Sequence, residues 1–221
     1  MRKILLLLCI LSITISAKAQ FFSRNWTEGA YYDSVGIKHG GLIAWEAPQS
    51  SIFTGKLDYI RFKSKKDADG AKIYAQGFKS FVLGEDSFAV SKSALLAKNP
   101  FLKVLINNND TTKLYAYLIA KKMNVGGIAG SFGMFTAGLG LSLKYFSSTY
   151  YYGTNPDNLT KLDKKQFIEV MSRIMADKPE AVKRIKDKKL RYGDMEDLLY
   201  FYKYDVMPPA PAPDPFSGLD H

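Results

Sequence analysis

From Trp26 to about Tyr152, apolar and polar positions alternate in short runs, whereas beyond Asn158 the apolar positions recur every three to four residues. Alternation puts successive side chains on opposite faces of a strand, while a spacing near 3.6 lays them along one face of a helix. The change of period predicts an α+β chain, mainly an antiparallel sheet followed by about three short helices packed on it.

Within the first region, Leu57–Lys63 mixes aromatic, branched and charged residues with a period of two, and Asp67-Ala68-Asp69-Gly70 reads as the turn after it. Lys72–Ala75, Phe81–Leu83 and Phe88–Val90 read as three further strands, divided by Gly77 and by Gly84-Glu85-Asp86. The clearest pair is Phe101–Ile106 and Lys113–Ala120. Leu102, Val104 and Ile106 share one face of the first strand, and Tyr115, Tyr117 and Ile119 share one face of the second. Asn107-Asn108-Asn109-Asp110 supplies turn chemistry between them, which predicts a hairpin.

In the second region Phe167, Val170, Met171, Ile174 and Met175 fall at helical spacing, with Asp163 and Gln166 placed as a capping box. Asp177-Lys178-Pro179-Glu180 reads as an acidic N-cap with proline in the first turn, and Val182 and Ile185 are the apolar contacts of that helix. Gly193-Asp194 opens a third helix whose apolar side is Leu198, Leu199, Phe201 and Tyr202. The expected organisation is a leader over 1–19, a β-rich region over 20–152 with a Gly-rich insertion at 124–140, and a helical region over 159–204. A Pro-rich disordered tail over 205–221 completes it.

Arg2 and Lys3, the apolar run Ile4–Ile15 and Ala17-Lys18-Ala19 together form the pattern of a secretory signal peptide, cleaved between Ala19 and Gln20. The run is short for a permanent span, which takes about 20 apolar residues. Cys9 is the only cysteine and lies in this leader, so a processed chain has no thiol for a disulfide, a nucleophile or a metal. Export also changes the meaning of the charge. The full chain carries +10, and removing Arg2, Lys3 and Lys18 leaves 28 basic against 21 acidic residues, or +7. Outside the cytosol that excess points away from nucleic acid and toward anionic lipid headgroups or polysaccharide, but the lysines are scattered from Lys56 to Lys203 and a solvated basic surface is preferred. The expected partner is an envelope component: a protein, a polysaccharide or an anionic lipid surface. The expected address is the periplasm or the cell surface.

Val125–Leu143 runs nineteen residues without a charge and holds six glycines. One reading is a membrane-contacting element through Val125, Ile128, Phe132, Phe135 and Leu139, with Gly126 and Gly130 at the spacing used by close-packed membrane helices. The other is a Gly-rich loop followed by a strand, since glycine weakens a helix and Leu139, Leu141, Leu143 and Tyr145 alternate.

Candidate chemistry is thin. His39 stands in the turn-like Lys38-His39-Gly40-Gly41, without a carboxylate nearby in sequence. Glu46, Asp58, Glu85 and Asp86 are the carboxylates a hydrolase would have to bring together. No catalytic, cofactor or metal residue is assigned, no cofactor is expected, and a non-enzymatic binding or structural module is preferred over a carboxylate hydrolase. Tyr31-Tyr32 and Tyr150-Tyr151-Tyr152 read as cross-strand packing. Asp33-Ser34-Val35 and Asp110-Thr111-Thr112 match a three-residue O-glycosylation acceptor pattern, at Ser34 and Thr111.

The runs Tyr59–Lys66, Gly77–Phe88 and Phe101–Leu105 with Lys113-Leu114-Tyr115, followed by Ala176–Glu180 and Leu198–Tyr202, resemble a group of exported Bacteroidota proteins. The resemblance covers roughly residues 26 to 204. It implies a β domain followed by helices and an envelope location in a Gram-negative cell. It implies no chemistry.

Overall fold

The computed structural model describes residues 26–49, 55–108, 112–124 and 142–209, and of 122–124 and 142–145 the backbone alone. Ten strands follow one another: β1 Thr27–Asp33, β2 Lys38–Ala44, β3 Tyr59–Lys63, β4 Ala71–Tyr74, β5 Phe78–Leu83, β6 Asp86–Val90, β7 Phe101–Ile106, β8 Lys113–Asn124, β9 Ser142–Asn155 and β10 Asn158–Lys161. Three α-helices follow among the described residues: α1 Phe167–Ile174, α2 Pro179–Lys186 and α3 Met195–Tyr204. The strands form one sheet in the order β10-β9-β8-β7-β6-β5-β1-β2-β3-β4. This is the α+β arrangement that the change of period predicts. The chain divides into two compact units, one of residues 1–103 and 118–147, the other of residues 104–117 and 148–221.

In the first unit, register decides which side chains meet. Ile43 opposes Phe62, Tyr31 opposes Phe81, Phe81 opposes Phe88 and Val90 opposes Phe101. These positions share one face, and Ile43, Ile60, Phe78, Phe81, Phe88 and Phe101 are its buried core. Phe81 and Phe88 stack at 4.6 Å between ring centroids, and Trp45 leans on both and on Phe101. Burying each such side chain contributes roughly 1.5–3 kcal/mol, which is the main source of stability in a chain with no disulfide among the described residues. Beyond β2 the chain crosses toward β8, where Gln49 bridges Ala120 in parallel and the Ala120 N–H donates to the Pro48 carbonyl. Two tight turns follow predictable rules. Gly84, at φ 60°, takes the first central position between Leu83 and Asp86, as a type II′ hairpin turn requires. Gly36, at φ 95°, lets the β1–β2 turn close.

The second unit holds β9 from Ser148 onward, β10 and the three helices. The predicted stripe of α1 is correct: Phe167, Val170, Met171 and Ile174 are buried, as is Met175 just beyond. In α2, Ile185 is buried and Val182 only half-buried, with Ala181 taking the second core position. In α3, Leu198 and Phe201 are buried while Leu199 and Tyr202 are half-buried.

The helical region does not begin at 159, because Asn158–Lys161 pairs with β9 as a strand. The Asn155 side chain accepts the N–H groups of Asp157 and Asn158 and so folds the chain back. Asn-Leu-Thr-Lys offers one apolar residue, too few to show a period. The helix starts also shift. The Asp163 carboxylate accepts the N–H groups of Lys165 and Gln166, but regular helix begins only at Phe167. Helix α2 does start at Pro179, yet its N-cap is Lys178, not Asp177. Asp194 is the N-cap of α3, but its carboxylate accepts the Arg191 N–H instead of a helical one.

Candidate functional site

Three groupings of polar side chains stand out among the described residues. The first lies at the β1–β2 hairpin. A register shift between Tyr32 and Asp33 turns the Asp33 carboxylate toward the loop, where one oxygen accepts the N–H groups of Val35 and Ile37. Its other oxygen is 3.0 Å from His39 Nε2. The imidazole also stacks on Tyr31 at 4.6 Å and 12°. His39 is therefore a strand residue with an acid partner, not the turn residue without a carboxylate that its neighbours predict. The His39 hydrogen bond holds the Asp33 carboxyl below its ordinary range. Partial burial opposes this, and the N–H groups of Ile37, Val35 and Gly36 add to the lowering. Chemically the pair is a base with its orienting acid, two of the several roles that catalysis demands.

The second grouping is in the other unit. Asp177 does not cap α2 because its carboxylate is engaged elsewhere: Oδ2 accepts the Tyr202 hydroxyl at 2.8 Å and Oδ1 accepts the Asn108 amide at 3.2 Å. The same amide donates to the Ile174 carbonyl at the end of α1, 3.0 Å away, and the Tyr202 hydroxyl also lies 2.9 Å from Asn108 Oδ1. Burial first, then Asp177, pushes the Tyr202 phenol up, so it stays a neutral donor. One loop side chain, one helix end and one helix face are tied together. The cluster is closed on itself and positions elements.

The third grouping is at the open edge of the sheet. Ile60 is in the core and Phe62 packs on it, so Tyr59, Arg61 and Lys63 face the other way. Opposite them on β4, Tyr74 pairs with Tyr59 and Lys72 with Arg61. The two tyrosine rings meet edge to face at 5.9 Å. The Lys72 ammonium sits 4.4 Å from the centroid of Tyr59, and the Lys63 ammonium 4.8 Å from that of Trp26. Trp26 in turn lies over Gly70, where a Cβ would come within 2.9 Å of the indole. Between Tyr59 and Tyr74 there are five basic residues and two acidic ones. Two like charges directly opposite each other in an antiparallel pair cost a few tenths to about 1 kcal/mol. Arg61 and Lys72 are such a pair, and no carboxylate is bonded to Arg61, Lys63 or Lys72 among the described residues.

The other predicted residues are dispersed. Asp58 is buried and pairs with Lys56 at 2.7 Å, and Asp86 pairs with Lys103 at 2.7 Å. Glu46 is exposed after β2, and Glu85 is in the β5–β6 turn. No three His, Cys, Asp or Glu side chains gather to hold a metal among the described residues. Tyr31 and Tyr150 are packing residues as expected, Tyr150 against Tyr192. Ser34 is exposed in the β1–β2 turn, while Thr111 lies outside the described residues. So do Ala19, Gln20, Val125, Ile128, Phe132, Phe135 and Leu139. Among the described residues no helix is long and apolar enough to cross a membrane. Sequence reasoning missed the edge grouping because its lysines look scattered along the chain. Only the β3–β4 pairing brings Lys72 beside Arg61.

No protein-family model, curated protein or solved structure matches this chain.

Proposed function

We propose that this chain is an exported, non-enzymatic envelope protein that binds an anionic envelope component through the outer face of its β3–β4 edge. The observation that carries this reading is the like-charge pair Arg61 and Lys72, with Lys72 laid over Tyr59 and the neighbouring Lys63 laid over Trp26. A ring beneath an ammonium limits where the charge can travel, so part of the ordering cost of binding is already met. The leader and the cationic excess support the location, and the lack of a thiol beyond Cys9 suits an oxidising compartment.

Two measurements test it. N-terminal sequencing of the native protein should begin at Gln20, and finding Met1 on soluble cytosolic material would end the export reading. The purified protein should cosediment with isolated cell envelopes at low salt and be released as salt is raised, because exposed charge interactions are screened. Absence of any sedimentation at low salt would remove the binding role.

A further inference from the structure

We infer that the outer face of β3 and β4 is a binding site for the carboxylates of an acidic polysaccharide, with Arg61, Lys63 and Lys72 as the contacting cations. The inference rests on the envelope-binding reading and names its ligand. Its geometry follows from the ladder. The Ala75 N–H donates to the Asp58 carbonyl, so 75 and 58 form a hydrogen-bonded pair. Alternation along the antiparallel ladder then makes Arg61 and Lys72 a non-hydrogen-bonded pair, the kind whose side chains stand closer together. Lys63 follows Arg61 on the same face, about 6.7 Å along the strand at the usual rise per residue. Three basic positions therefore form an L on the two strands, Arg61 and Lys72 opposite each other and Lys63 a step further on, with the ammonium groups resting over Tyr59 and Trp26.

Lys63 is held by Trp26 and by a hydrogen bond from its ammonium to the Lys66 carbonyl, and Lys72 is held by Tyr59. Arg61 is half-buried with Nε out of solvent and unbonded, which leaves its outer nitrogens as the available donors. The acids nearest in the ladder and the turn are Glu28, two strands away across Leu42, and Asp67 and Asp69, and none of them bonds to the three cations. A planar carboxylate suits the Arg61 guanidinium, and further carboxylates along a chain suit the ammonium groups of Lys72 and Lys63.

A lipid surface fits less well. Membrane-surface elements combine cations with apolar side chains that enter the headgroup boundary. Of the strongly exposed apolar residues of this unit, Val35 and Ile37 belong to the β1–β2 turn, Leu95 to the segment before β7 and Phe146 to β9. Among the aromatic and apolar side chains of β3 and β4 on the cationic face, only Tyr74 is substantially exposed.

The test compares wild type with Lys72→Glu, which replaces the like-charge pair by an opposite-charge one. The probes are polygalacturonate, neutral dextran, and phosphatidylglycerol vesicles. Wild type should bind polygalacturonate in a salt-sensitive way and ignore dextran. K72E should bind at least tenfold more weakly while unfolding at a higher temperature, which separates lost binding from lost fold. Arg61→Gln should also weaken binding. Binding to the vesicles but not to polygalacturonate would overturn the polysaccharide assignment. Undiminished polygalacturonate binding by K72E would overturn the site. Envelope cosedimentation retained by K72E with no polygalacturonate binding by wild type would overturn this inference alone, whereas loss of envelope cosedimentation by wild type would overturn the broader reading.

Discussion

Asp177 shows how a local rule yields to a tertiary one. Ahead of Lys-Pro-Glu it is well placed to cap a helix, and a cap contributes about 1 kcal/mol. The carboxylate instead meets Tyr202 and Asn108, which lie far away in sequence. No pattern within a few residues of Asp177 announces those partners. Asn108 reads as turn chemistry for the same reason, and the structure adds its bond to the Ile174 carbonyl. Replacing Asn108 with Ala should lower stability by about 1–2 kcal/mol, since the Tyr202 hydroxyl and the Ile174 carbonyl each lose a partner. Tyr202→Phe should cost somewhat less, because Asn108 and Asp177 still bond each other. Urea unfolding of both single variants and the double variant checks this. Losses that simply add would argue against one shared network.

The elements were legible where local pattern and packing agree. The Phe101–Ile106 strand, the Lys113–Ala120 part of β8, the stripe of α1 and the proline start of α2 all follow from spacing and caps. The first hairpin was not. Lys38-His39-Gly40-Gly41 carries turn residues, yet it is β2, and Gly41 is there because a Cβ would collide with the Lys63 carbonyl and the Phe62 ring. That requirement comes from β3, some twenty residues on. The same gap hid the candidate site, whose cations are joined by pairing across β3 and β4 and not by adjacency. The end of α2 offers a test at this scale. Lys188 adopts φ 59° just past the helix, a left-handed conformation that glycine takes without strain. Lys188→Gly should therefore raise stability, by about 0.5–1 kcal/mol, as measured by the midpoint of chemical unfolding. A fall in the midpoint would mean that the side chain contributes more than the backbone loses.

For the molecule as a whole, buried phenols set its response to base. Burial, and then the charge of Asp157, push the Tyr115 hydroxyl up to about 12. Burial also raises Tyr150, Tyr151 and Tyr202. In the unfolded chain a tyrosine ionises near pH 10, so between about 10 and 12 the native state holds protons that the unfolded state has released. Stability from these groups is complete below about pH 10 and is lost as pH rises through the native values. For Tyr115 alone the loss is about 2–3 kcal/mol. Unfolding free energy followed from pH 8 to 12 should fall above 10, and Tyr115→Phe should shrink that fall. An unchanged slope would show that the phenol reaches water in the native state.

The place of β1 in the strand order has a consequence for how the chain comes together. Its neighbours are β2, which follows at once, and β5, which begins at Phe78. A polypeptide delivered N-terminus first completes one border of β1 early and leaves the other vacant while about 45 residues pass. Such a border is a template for any strand that arrives first, including one from a second molecule. Assembly therefore has a hazardous interval, and it ends when Phe78–Leu83 takes its seat.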